Sequence, residues 1–154
     1  MNTRRKPSDH EGEALSYGML PDLLGFHLRR AQVALFRHFA QSVGAAADIT
    51  PGLFGMLQVI AANPGLGQSR LAEAMEVERS TIVKVVDQLE GRGLIVRAPS
   101  PTDRRSHCLE LTPAGRGELA RMEHLVAAHE AEATGKLTPD ERQTLIRLLI
   151  RLVD

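Results

Sequence analysis

Apolar residues recur at helical spacing through most of the chain. Leu24, Leu28, Ala31, Leu35 and Phe39 step by four, three, four and four, which puts them on one face of a first helix. Gly44-Ala45-Ala46-Ala47 blurs its end. Thr50-Pro51 starts a second helix, because threonine caps well and proline suits the first turn. That helix carries Leu53, Leu57 and Ile60 and stops before the breaker cluster Asn63-Pro64-Gly65. Residues 68–75 and 79–91 predict two further helices around the turn Glu76-Val77-Glu78, the second ended by Gly91 and Gly93. Residues 94–97 and 107–111 then read as strands. The segment between them holds two prolines and three charges, so it reads as an extended hairpin tip. Thr112-Pro113 repeats the start signal for a long helix with Leu119, Met122 and Leu125 or Val126 inward. Lys136-Leu137 marks a break, and Thr138-Pro139-Asp140-Glu141 starts a last helix with Glu141 placed for a capping box. This helix carries Leu145, Leu148, Leu149 and Leu152 on one face and Ile146, Ile150 and Val153 on a second. A terminal helix that is apolar on two sides calls for packing against a second subunit.

Composition narrows the classes. The 154 residues suffice for one domain with dimerisation arms. Lys+Arg and Asp+Glu both count 19, which excludes a polybasic or acidic-tail protein and leaves room for a local basic patch. No apolar run approaches the roughly 18 residues of a membrane span, and residues 1–12 lack the apolar core of a secretory signal. The expected location is therefore cytoplasmic, with no membrane partner. Residues 1–18 read as a tail, although Arg4-Arg5-Lys6 offers a basic arm. No cofactor or catalytic residue is expected. His27, His38, His124 and His129 are scattered, and Gly65-Leu66-Gly67 lacks the rest of a phosphate loop. His124 and His129 lie five apart, not the four that would align two imidazoles for a metal. The single cysteine, Cys108, excludes a disulfide framework. Strand alternation puts it with Glu110, opposite His107, Leu109 and Leu111, and a neighbouring carboxylate disfavours a reactive thiolate. A redox- or metal-responsive device built on these residues is the runner-up reading.

Two short helices, a tight turn and a hairpin make a winged helix-turn-helix. The expected fold is mainly α with a small β-hairpin wing. Residues 19–48 and 113–154 supply dimerisation helices, and residues 49–112 a DNA-binding lobe. At 100° per residue, Ile82, Val85, Val86 and Leu89 cluster on one face of the fourth helix. Opposite lie Ser80, Lys84 and Asp87, flanked by Val83 and Gln88. That side suits a major groove: a lysine donates to guanine or phosphate, glutamine pairs with adenine, and valine meets a thymine methyl.

The run from Arg79 to Arg97, then Asp103-Arg104-Arg105, then Leu111-Thr112-Pro113-Ala114-Gly115, resembles the MarR-type transcriptional regulators. Their wing pattern is Asp-x-Arg, five residues, then Leu-Thr and a glycine three positions after the threonine. It is met at Asp103, Arg105, Leu111, Thr112 and Gly115. The resemblance implies a homodimeric repressor on a pseudo-palindromic double-stranded DNA operator. Arg105 would enter the minor groove, Asp103 would orient it, and Ser80, Thr81 and Lys84 would face the major groove. The full expected DNA set is Gln68, Ser69, Arg79, Ser80, Thr81, Lys84, Gln88, Asp103, Arg104 and Arg105. Two positions depart from the pattern: Glu76, where the family commonly has glycine, and Glu78, where a shorter cap is commoner.

The resemblance also implies a ligand crevice between dimerisation helices and DNA-binding lobe, lined here by the first and second helices. All four phenylalanines lie between residues 26 and 54, interleaved with Arg29, Arg30, Arg37, His27 and His38. Rings beside cations suit a flat anion, such as an aromatic acid or its coenzyme A thioester. Phe26, His27, Arg30 and Phe54 are the expected ligand contacts.

Overall fold

The computed structural model describes residues 15–99 and 107–153. The chain forms two compact units, Met1–Ala34 and Leu35–Asp154, with the boundary inside the first long helix, α1 (Leu24–Phe39). In the first unit a 3₁₀ turn, Leu20–Asp22, leads into α1.

In the second unit the Gly-Ala run extends the first helix instead of fraying it. A π-helical turn, Ala40–Gly44, passes into α2 (Ala45–Ala47). Asp48 ends the path in the left-handed region at φ 49°. Arg92 satisfies the freed carbonyls, donating to Asp48 O at 2.8 Å and Ala47 O at 3.1 Å. Helix α3 (Pro51–Ala62) starts as expected, with the Thr50 hydroxyl accepting from Leu53 N–H. Helices α4 (Gln68–Ala74) and α5 (Arg79–Gly91) follow, then the antiparallel strands β1 (Ile95–Pro99) and β2 (His107–Leu111). Long α6 (Pro113–Ala133) and α7 (Pro139–Val153) complete the chain.

One core joins α3, α4, α5, the hairpin and α6. Leu57, Leu71, Ile82, Leu89, Ile95, Leu109 and Met122 are fully buried in it. Each such side chain contributes about 1.5–3 kcal/mol on leaving water, so the helix-turn-helix and wing are held as one body. The Leu-Thr-Pro-Ala-Gly run is the joint between wing and α6. The Thr112 hydroxyl accepts from Gly115 N–H at 2.8 Å and donates to Gly93 O at 2.6 Å. A Cβ on Gly115 would lie 1.9 Å from Leu94 O, so the close approach there requires glycine.

Strand alternation holds for Leu109, Glu110 and Leu111 but not for the start of β2. His107 is exposed and Cys108 is buried. The small thiol tucks against the paired strand, 3.6 Å from Ala98 O, while Leu109 N–H donates to Leu66 O. The α3–α4 connection thus covers the outer side of β2 at that point.

Helix α7 begins with the expected capping box. Thr138 N–H donates to Glu141 Oε2 at 2.8 Å, and Glu141 N–H donates to the Thr138 hydroxyl at 3.3 Å. The Thr138 backbone bond, with its hydroxyl, holds the Glu141 carboxyl below the usual carboxylate range. No residue of α7 is buried. Among the described residues no single helix is long and apolar enough to cross a membrane.

Candidate nucleic-acid interface

Helix α5 takes its orientation from its apolar stripe. Ile82, Val86 and Leu89 are buried and Val85 packs against the core, so the opposite side must face out. Ser80, Thr81, Val83, Lys84, Asp87 and Gln88 are all exposed there. The phase expected from 100° per residue is the one observed. Gln68 and Ser69 stand half-buried at the start of α4, and Arg79 at the start of α5 donates to the Ser69 hydroxyl. This bond ties the two helix N-termini together across the turn. Asp103, Arg104 and Arg105 lie outside the described residues, as do Arg4, Arg5 and Lys6.

The turn carries negative charge. A cleft of about 540 Å³ beneath it is lined by Ser69, Ala72, Glu73, Glu76, Val77, Glu78 and Arg79. Glu76 adopts φ 52°, the left-handed backbone that glycine takes without strain. The departure noted in the sequence therefore sits where backbone geometry itself favours glycine.

A second charge feature was not anticipated from the sequence. Arg97 on β1 is clamped by two carboxylates of α5: its guanidinium donates to Asp87 and to Glu90. Its backbone N–H also donates to Glu90 Oε1 at 3.3 Å. The hydrogen bond it donates to Asp87, with the charge of Glu90, holds the guanidinium proton more firmly than usual, against some loss of hydration. The spacing of Asp87 and Glu90 by three on one helix edge was legible; the strand arginine between them was not.

The expected ligand residues divide between the two units. In the first, the Arg30 guanidinium lies 5.5 Å from the centroid of the Phe26 ring, and Tyr17 packs against the same ring at 5.7 Å. His27 Nε2 is 2.7 Å from Pro21 O and donates to it. In the second, Phe54 is half-buried and packs on the core. A cavity of about 390 Å³ in the second unit lies among α3, β2 and α6, with Ile60, Leu109 and Leu119 beside Glu110, Arg116 and Glu123. None of the four expected contacts lines it.

The end of α1 meets α6 through a histidine pair. His38 Nδ1 and His129 Nδ1 are 2.7 Å apart, a distance that requires one proton between them, and Phe39 meets the His129 ring edge-on. Burial, and next the charge of His38, lower the His129 pKa below the ordinary histidine value. Among the described residues no group of three or more His, Cys, Asp or Glu side chains is arranged to hold a metal ion.

The MarR family model matches residues 49–107, the span from the start of α3 into the wing. A relative from Thauera aromatica, assigned to transcriptional regulation of the hcr operon, is 54% identical over 97% of this chain and 90% of its own length. The chain belongs to the MarR family. It is a transcriptional regulator rather than an enzyme. Its fold matches that of the MarR-family repressor CouR bound to a 23-mer DNA duplex, at TM-score 0.87 and 42% identity, covering 92% of this chain and all of the other. CouR bound to p-coumaroyl-CoA matches at TM-score 0.83 and 41% identity, over 91% of this chain and 98% of the other. The mainly helical MarR-family architecture with a two-stranded wing is thus the one expected from the sequence.

Proposed function

We propose that this regulator works as a homodimeric repressor on a pseudo-palindromic DNA operator, in the cytoplasm, and leaves it when a small anionic aromatic ligand binds. The observation that carries the reading is the outward face of α5. It presents Ser80, Thr81, Lys84 and Gln88 from a rigid helix-turn-helix, in a fold matched by a repressor bound to duplex DNA. Lys84 and Gln88 address base edges in the major groove. Ser80 and Thr81 face the same groove, and Gln68, Ser69 and Arg79 complete the DNA-facing set. Arg105, oriented by Asp103 and flanked by Arg104, reaches the minor groove. Half-sites stand about one helical turn apart or slightly more.

Two features support dimerisation. Leu145, Leu148, Ile150 and Leu152 are exposed on α7, as are Leu24 and Val33 on α1. A soluble monomer rarely leaves such contiguous apolar surface bare.

The effector is an aromatic acid or its coenzyme A thioester. CouR binding p-coumaroyl-CoA at 41% identity supports that class, and Arg30 over the Phe26 ring supplies a cation and an aromatic face for it. The experiment is fluorescence anisotropy with DNA from upstream of the protein's own gene, then titration with p-coumaroyl-CoA or p-coumarate. Release by either compound, weakened in Arg30→Ala, supports the reading. Failure to bind that DNA more tightly than a scrambled duplex rejects the operator. Release by neither compound rejects the ligand class.

A further inference from the structure

We infer that Arg97 is a positioning residue for operator recognition, masking the carboxylates of the recognition helix so that Lys84 stays free for DNA. The inference rests on the operator-binding reading and adds a residue to it. Helix α5 carries Lys84, Asp87 and Glu90 in sequence. Residues three apart on a helix are neighbours, so an unpartnered Asp87 has Lys84 within reach. The structure gives Asp87 a different partner. Arg97 reaches from β1 with one arm to Asp87 and the other to Glu90, while its own N–H donates to Glu90.

The two carboxylates have different environments. The Glu90 side chain is 37% exposed and receives both backbone and side-chain bonds from Arg97, so it anchors the arginine. The Asp87 side chain is 60% exposed and, among the described residues, receives one arm of Arg97, so it is the group being masked. Arg97 sits opposite Leu109, which is buried. The strand backbone is therefore fixed, and the guanidinium is delivered to α5 in a set pose. A two-armed guanidinium fits this geometry; an ammonium would meet one carboxylate at a time. Without the clamp, Asp87 both repels phosphate and captures Lys84.

The test is a double-mutant cycle on the full-length protein: Arg97→Gln, Asp87→Asn and the double variant, with Arg97→Lys as a milder lesion. Binding is read on the operator, on single-base variants of it, and across salt concentration. Arg97→Gln is expected to weaken operator binding about tenfold, or about 1.4 kcal/mol. The slope of log affinity against log salt should shrink by about one phosphate contact, and base preference should fall at the position read by Lys84. Adding Asp87→Asn to Arg97→Gln should restore most of the affinity, the slope and the preference, and Arg97→Lys should fall between parent and Arg97→Gln. A purely structural clamp predicts otherwise: lower thermal stability, unchanged base preference and no rescue by Asp87→Asn. That pattern, or parent-like binding by Arg97→Gln, overturns the inference. A parent protein with no preference for the operator overturns the operator reading itself.

Discussion

Glu76 stands at φ 52°, where a Cβ costs about 1–2 kcal/mol relative to the right-handed region. Glycine escapes that strain but loses more chain entropy on folding, so Glu76→Gly is expected to stabilise the protein by about 0.5–1 kcal/mol. Urea denaturation should show a higher midpoint at unchanged slope. Because Glu76 lines the cleft with Glu73 and Glu78, the same change should tighten binding to unrelated DNA. Gly115 presents the opposite case. Its missing Cβ makes room for Leu94 O, so Gly115→Ala must push α6 off the root of the wing. A loss of about 3 kcal/mol or more is expected in the same urea measurement. A variant as stable as the parent would show that the close approach is not what fixes glycine there. The Leu-Thr-x-x-Gly pattern was legible in the sequence, but its physical reason was not: the atom that excludes a side chain belongs to Leu94, on the far side of the hairpin.

At the scale of elements, the helix starts were legible locally, while strand alternation failed at Cys108 and β1 runs on to Pro99. Thr50, Thr112 and Thr138 each stand before a proline and a helix, and all three cap as expected, because an N-cap needs only its own next three residues. The end of the first helix was not legible, since Arg92 on a distant segment supplies the donors that let the path run to Ala47. The exposed face of α5 followed from period alone, whereas the Arg97 clamp needed the strand and helix placed side by side. On that face, Lys84→Ala is expected to cost about 1–3 kcal/mol of operator binding and to change preference at one position per half-site. Operator-variant titrations distinguish this from a uniform loss.

The histidine pair joins two other elements and makes stability depend on pH. Folded His129 resists a proton that the unfolded chain accepts near pH 6.5. Around it stand His38, which opposes that proton, and Glu130 and Glu132, which favour it without reversing the direction. Above about pH 7.5 His129 is unprotonated in both states and contributes no slope. As pH falls through about 6.5 the unfolded state gains the proton first, so stability drops until the folded pKa is passed. The melting temperature should fall further between pH 7.5 and 5.5 in the parent than in His129→Gln, which keeps an amide for His38 but does not titrate. Equal falls would remove His129 from the pH response.

For the whole molecule the decisive surface is α7. Large apolar side chains pack inward wherever the second unit offers a core, yet Leu148 and Leu152 are each 54% exposed and α7 contributes nothing buried. The first half of α1 repeats the pattern, with Leu24 at 59%. In the proposed homodimer, a second copy of the chain covers the apolar face of α7. This seam of the proposed dimer would link two recognition helices at a fixed separation, which a pseudo-palindromic operator would reward. Binding at one half-site then raises the effective concentration at the other, an advantage of about 10²-fold or more. Leu148→Glu combined with Leu152→Glu places two charges in the seam, so sedimentation should show monomers at micromolar concentration where the parent is dimeric. Operator affinity should fall by at least that factor, while the helix-turn-helix core, which shares no side chain with α7, keeps its stability. A parent that sediments as a monomer, or a monomeric variant that holds the operator as tightly as the parent, would separate DNA recognition from dimer formation and leave the apolar face of α7 without this purpose.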